Sequence, residues 1–421
     1  GDYYALKKDS VQSWNRIIQH GKMAIKNRIH SAWTRMGPMD LSDVGYDAFL
    51  VNGEKLISFS DFLPGEKVLL RVINACASSY MNLEFSNYPM QVVASDGVDI
   101  ENISTKRLQI AIAETYDLII EIPQEGSHEL RISSEDGTGY ASAYFGKGNR
   151  VFAPDLPKPN PYHMNHHNMH HHKMHKSNSK NTQSIIPHLK SYEKLKSIEP
   201  TLLPPNQVWK EYTLHLTGNM ERYVWSFNKK TFSEENQILI KKGENIRFHL
   251  INDTMMHHPI HLHGHFFRLL NGQGAKSPLK HTVNVPSMSQ LSIEFDAKEE
   301  KDWFFHCHNL YHMAGGMARI ISYQDSSLLS ASTVKKLSHD TKYYPSIQMN
   351  FASNKFSNMN RFSNSRNTFE LEFEHNYKKQ YECTSIYERN LSRFLDIYIG
   401  GKFERNEDLE IENTAITGIH Y

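Results

Sequence analysis

The chain has 421 residues, enough for about two to four domains, and no run of it approaches the ~18 apolar residues of a membrane helix. Lys and Arg number 47 against 46 Asp and Glu, so the net charge of +1 offers nucleic acid no electrostatic footing. The departure from the ordinary is 25 His and 16 Met against 3 Cys, a side-chain inventory suited to soft or borderline metals, copper above all. Three cysteines build no disulfide framework, so they leave the compartment open. The first residue is Gly1, with no charged-then-apolar leader after it, which reads as a fragment or a processed chain.

Residues 1–42 read as a helical arm. Val11, Trp14, Ile17 and Ile18, then Ile25, Ile29 and Trp33, recur at spacings of three and four, with Gly21 between two short helices. The expected role is packing, without chemistry. From 43 to 152 the pattern changes to short strands separated by Asn52-Gly53, Pro64-Gly65, Asp96-Gly97 and Asp136-Gly137. Runs such as 67–74 and 108–122 are rich in Val, Ile and Leu, the signature of a β-sandwich. This segment has no His-x-His pair, and Cys76 reads as a small core residue in an apolar strand.

Residues 153–205 read as a linker. It opens with Pro154, Pro157, Pro159 and Pro161 and closes with Pro204 and Pro205. Within it lie His163, Met164, His166, His167, Met169, His170, His171, His172, Met174 and His175, a tract too polar to bury a core. Imidazoles alternating with thioethers suit loose capture of copper ions better than they suit a plain spacer.

A second strand-rich domain is expected over 206–325, and it holds the two clusters that carry chemistry. One contains His258, His261 and His263; the other contains His306, Cys307, His308, His312 and Met317. The stretch 303–308 reads as a strand, whose side chains point alternately to opposite faces. Cys307 therefore faces one way while His306 and His308 face the other. His312 follows Cys307 by five residues and Met317 follows His312 by five. A blue-copper site needs a thiolate, two imidazoles and a weak axial thioether, and this segment supplies three of the four. His258 is the candidate fourth ligand: it is offset by three from His261 and so faces away from His261 and His263. Each cluster thus divides its ligands between two metal centres. His257 and His265 read as structural.

Residues 326–421 read as a tail of antiparallel strands. Phe369, Leu371 and Phe373 alternate with Glu370, Glu372 and Glu374, and further strands are expected near 379–387, 392–400 and 411–421, four or five in all. One apolar and one acidic face fits either a soluble accessory sheet or the wall of an outer-membrane barrel.

These motifs resemble the C-terminal copper motifs of multicopper oxidases, the laccase-like enzymes built of cupredoxin domains. The similarity is closer to the bacterial copper-resistance (CopA-like) group, which the stretches Asp2-Tyr3-Tyr4, Met36–Leu41, Val51-Asn52-Gly53 and Ala113–Asp117 and the Met/His-rich insert also resemble. The resemblance spans about 1–325. It implies a mainly β chain with two cupredoxin-like Greek-key sandwiches, 43–152 corresponding to the family's second domain. It also implies type-1 copper at His258, Cys307, His312 and Met317, type-2 copper at His261, and the type-3 pair at His263, His306 and His308. Cys307, His306 and His308 would carry electrons from a phenolic or Cu(I) reductant toward a three-copper site reducing O2 to water. The tail weakly resembles a CopB-type outer-membrane copper-resistance protein, which implies the periplasm or envelope of a Gram-negative bacterium.

The family's three-copper site takes four His-x-His pairs, and two are present here. Residues 1–150 offer only His20, His30 and His128. The resemblance therefore implies that the first domain is missing, and that types 2 and 3 copper bind only where that domain is supplied. Two other classes remain open, a blue-copper electron-transfer protein and a copper-sequestering protein.

Overall fold

The computed structural model describes residues 18, 21–23, 25–26, 46–156, 188–189, 192–219, 223–324, 342–377, 380–392, 395–405 and 410–420. Most of the arm, most of the linker and its whole His/Met tract (163–175), and the connection at 325–341 lie outside the described residues. Of the arm, Gly21 takes a positive φ of 82° between Ile18 and a helical stretch around Lys22–Lys26.

The first sandwich packs a four-stranded sheet, Lys67–Ile73, Thr115–Glu121, Met90–Ser95 and Val98–Thr105, against a seven-stranded one containing Met81–Phe85, Gly126–Ser134 and Tyr140–Lys147. Alternating burial along Thr115–Glu121 places Tyr116, Leu118 and Ile120 in one core with Leu83, Phe85 and Val92.

Three expectations for this region need correction. The apolar run 108–122 is two strands, Arg107–Ile110 and Thr115–Glu121, because Ala113 turns at φ 65° and the Glu114 carboxylate accepts the Ala111 N–H at 2.8 Å. Cys76 lies in the loop after Ile73, half-buried against the core, and burial pushes its thiol up to about 11. The linker's last part belongs to the first sandwich: His188–Leu189 pairs with Arg107–Leu108, and Leu195 is fully buried in that core.

The second sandwich packs a six-stranded sheet against a five-stranded one. In the six-stranded sheet Val208–Leu216 runs parallel to Glu244–Asn252, which pairs with Gln290–Asp296. The five-stranded sheet runs Gln237–Ile240, Ala318–Tyr323, Asp302–Cys307, His258–Leu262, Thr282–Val285, and His258, His261, His263, His306 and His308 lie in or beside Asp302–Cys307 and His258–Leu262. In the core between the sheets Phe227 stacks on Phe305, and Phe248 meets Phe295 and Phe305 edge to face.

Six antiparallel strands of eight to twelve residues form the tail, from Tyr344–Phe351 to Ile411–His420, in a plain meander. The two strands without a position assigned from the sequence are Tyr344–Phe351 and Lys355–Ser363, where Asn, Ser and Gln dilute the apolar signal. An ion pair from Arg366 to Glu234 joins the meander to the second sandwich.

Candidate metal centres

Two paired strands lie at the base of both centres. His258–Leu262 pairs antiparallel with Asp302–Cys307, Ile260 opposite Cys307 and His261 opposite His306. Opposed residues share a face, so Cys307 enters the core with Ile260 and Phe305 while His306 and His261 emerge on the other side. His258, three positions from His261, turns inward.

The inward set is His258, Cys307 and His312, all buried. Cys307 Sγ lies 3.7 Å from both His258 Nδ1 and His312 Nδ1, which are 3.0 Å apart. One ion bridges such spans, since metal–imidazole bonds are about 2.0–2.1 Å and metal–thiolate bonds about 2.3 Å.

His258 is set by its neighbours. Asn252 gives its amide hydrogens to the carbonyls of Met256, Val285 and Pro286, which points its Oδ1 at Thr254. The Thr254 hydroxyl donates to that oxygen at 2.8 Å and accepts the Nε2–H of His258 at 2.7 Å. This bond fixes the tautomer whose Nδ1 lone pair faces Cys307. His312 sits on a short helix, Leu310–Ala314, capped by Asn309, whose amide nitrogen also lies 3.4 Å from His312 Nε2. The loop closes on itself: Cys307 donates its N–H to Met317 O, and Met317 donates its own to His312 O, both at 3.0 Å. Met317 is fully buried in the same apolar core as Cys307 and Trp225.

The outward set is His261, His263, His306 and His308. Nε2 of His263 and His306 are 3.1 Å apart, and ring centroids within the group lie at 4.6 Å (His261 to His263) and 5.2 Å (His306 to His308). His261 donates Nδ1–H to His281 O at 2.8 Å, and His306 donates Nδ1–H to Cys307 O at 2.9 Å, so each keeps Nε2 as a lone pair. The buried Nδ1 of His308 has no hydrogen-bond partner among the described residues. Burial, helped by the neighbouring His263, holds the His261 imidazole down at about 3. Burial likewise lowers His263 and His308, and holds His306 well below its ordinary range. Four neutral imidazoles with converging lone pairs are a donor set for a borderline metal. The group opens to solvent at His263.

His265 donates its Nδ1–H to His263 O at 2.9 Å and accepts the Tyr323 hydroxyl at Nε2 at 2.7 Å, and His257 rests against the Tyr80 ring. Sequence reasoning passed over Thr254, Asn252, Trp225 and His281. Their contribution depends on side chains met only in space, and nothing in their local spacing marks them.

This fold and these two clusters define a cupredoxin-type copper protein. The multicopper oxidase family matches the chain at residues 12–149 and again at 207–327. The first match begins within residues 1–42. Copper resistance protein A of Escherichia coli is 30% identical, covering 77% of this chain and 68% of that protein. A copper resistance protein A homolog of Pseudomonas syringae pv. tomato is also 30% identical, covering 77% and 67%. In fold, the chain is similar to the crystal structure of Fet3p, a multicopper oxidase that functions in iron import, with a TM-score of 0.51, 16% identity, and coverage of 71% of this chain and 65% of that one. The chain belongs to the multicopper oxidases, copper-dependent oxidoreductases, and its relatives include copper resistance proteins A of Gram-negative bacteria.

Proposed function

We propose that this chain forms the reductant-side copper centre, and half the ligands of the oxygen-reducing centre, of a copper-resistance oxidase. The observation that carries the reading is the convergence of His258 Nδ1, His312 Nδ1 and Cys307 Sγ within 4.8 Å of one another in a dry core. His258, Cys307, His312 and Met317 would hold type-1 copper, His261 type-2 copper, and His263, His306 and His308 the type-3 pair. Copper at these positions supplies one-electron redox chemistry and, in the complete three-copper arrangement, reduction of O2 to water.

The protein's own part is to hold ligands and exclude water. Thr254 orients the His258 imidazole, Trp225 packs flat against His312, and the apolar core around Cys307 keeps its sulfur dry. His306 and His308 are the immediate chain neighbours of Cys307, so a few covalent bonds join the two centres. Cu(I) as reductant is favoured by Met255 and Met288, both exposed on loops tied by the Met288 N–H to Thr254 O bond of 3.1 Å, beside His258. The 163–175 tract would collect copper loosely. Copper loading should give an intense thiolate-to-Cu(II) band in the visible red that Cys307→Ser abolishes; a variant that stays blue sinks the assignment. An oxygen electrode should register no enzymatic turnover by this chain alone, because only His261/His263 and His306/His308 match the four ligand pairs of the family's three-copper site; robust four-electron reduction would refute the half-site reading.

The relatives' source supports a location in the periplasm or envelope of a Gram-negative bacterium. For the tail, the face carrying Phe369, Leu371 and Phe373 is exposed, while the opposite face carries the ion pairs Arg361–Glu370 and Lys355–Glu374. That segregation favours association with the outer membrane over burial in a soluble core. Flotation of the full chain with phosphatidylethanolamine vesicles, lost in Leu371→Lys, tests it; a chain that stays with the soluble fraction refutes it.

A further inference from the structure

The first sandwich contributes no member of either metal cluster, yet one of its carboxylates reaches the four-histidine group through a single peptide unit. Asp96 sits at the Asp96-Gly97 turn in a left-handed conformation, φ 51°, with its side chain fully buried. Its Oδ1 accepts the Thr115 N–H at 3.0 Å, which anchors it in its own domain. Its Oδ2 crosses to the second sandwich and accepts the N–H groups of His281 at 3.1 Å and Thr282 at 3.2 Å.

The Thr282 N–H and the His281 carbonyl belong to one planar peptide group. Asp96 holds one end of that plane, and His261 Nδ1–H binds the other end at 2.8 Å. A carboxylate behind a peptide also draws its dipole into line and makes the carbonyl a better acceptor. The charge is matched by Lys280, itself fully buried, with Nζ 3.1 Å from Asp96, 3.2 Å from Glu114 and 2.8 Å from Ser95 Oγ. Glu114 makes a second attachment: Tyr192 donates to it at 2.6 Å and accepts the Asn284 N–H at 2.7 Å. The strand so held, Thr282–Val285, is the direct neighbour of His258–Leu262.

We propose that Asp96 is a positioning residue for the four-histidine centre, setting the tautomer and ring angle of His261 through the His281–Thr282 peptide. The ligand-free sandwich thereby acts as the outer support of a metal centre built wholly on the other domain. This rests on the reading of His261, His263, His306 and His308 as a metal site. The tautomer of His261 is measurable without metal, so failure of that reading and failure of the proposal are separable.

In the full apo chain, long-range proton–nitrogen spectra should show His261 as the Nδ1–H tautomer with a slowly exchanging proton. Asp96→Ala should convert it to a mixed, fast-exchanging ring. With the inward site filled by Cu2+, the affinity of the outward site for Co2+ should fall about 10–100-fold in that variant while the blue band is unchanged. Asp96→Asn, which keeps an acceptor oxygen, should retain the tautomer and lose Co2+ affinity only several-fold. Asp96→Asn decides the matter where the alanine variant does not fold. Unchanged tautomer and Co2+ affinity in the folded variants overturns the proposal. So does parallel loss of the blue band, which would make Asp96 a general prop of the domain interface.

Discussion

Trp225 lies flat against His312, ring centroids 3.8 Å apart and planes at 28°, and meets His258 edge-on at 5.3 Å. The indole fits because Gly218 and Gly315 leave room for it; a Cβ on Gly218 would stand 2.3 Å from the ring. His258 is held by its 2.7 Å bond to Thr254, whereas the Asn309 amide N–H, 3.4 Å from His312, faces the ring nitrogen that carries the proton.

Trp225→Leu should therefore loosen His312. The expected outcome is a shifted, weaker blue band and altered copper hyperfine splitting, with a stability loss of about 3 kcal/mol from the lost ring. Trp225→Phe should keep most of the band. Spectra of Trp225→Leu identical to the parent would show that the stack does not set the ligand.

Thr254→Val should weaken copper at the inward site about 10–100-fold. It removes the acceptor of the His258 Nε2–H and strands a buried donor, at a cost of about 1–3 kcal/mol. Thr254→Ser should restore both, read by copper titration and thermal melting. Equal affinity in the Val and Ser variants would rule out tautomer control.

The outward imidazoles make stability pH-dependent with a definite sign. Each has its folded value lowered by burial, so below the ordinary 6.5 the unfolded chain takes up protons that the folded chain refuses. Their contribution is whole above 6.5 and is lost progressively as pH falls toward about 3, the folded value of His261. The apo chain should melt at lower temperature across that window, and His261→Gln should flatten the slope. A melting temperature that rises on acidification from 6.5 contradicts this.

Gly264 stands between His263 and His265 at φ +69°, and a Cβ there would lie 2.3 Å from the Trp303 ring. Gly264→Ala should cost about 1–3 kcal/mol and displace His263. The expected reading is loss of outward-site Co2+ binding with the blue band retained. Unimpaired Co2+ binding would mean that the strand end adapts.

The division of ligands between two faces was legible in the sequence because period-two alternation is a property of the strand itself, visible in His261, His263, His306, Cys307 and His308 without any partner. Sandwich segments were legible from turn pairs such as Asp96-Gly97. What the sequence hid was tertiary. The break at Ala113 depends on a carboxylate folding back on its own turn, and the return of Leu195 into the first core depends on a groove between strands far upstream. The same holds for Asp96, which reads as a turn residue and acts 185 positions away.

The pairing of His258–Leu262 with Asp302–Cys307 has a consequence for how such a chain tolerates error. Because side chains alternate, a slip of one residue between these strands would send Cys307 toward the imidazoles and a histidine into the dry core. No intermediate register keeps one centre and spoils the other. A slip in this register would thus spoil both centres at once, and any substitution that holds it for the sake of one protects both.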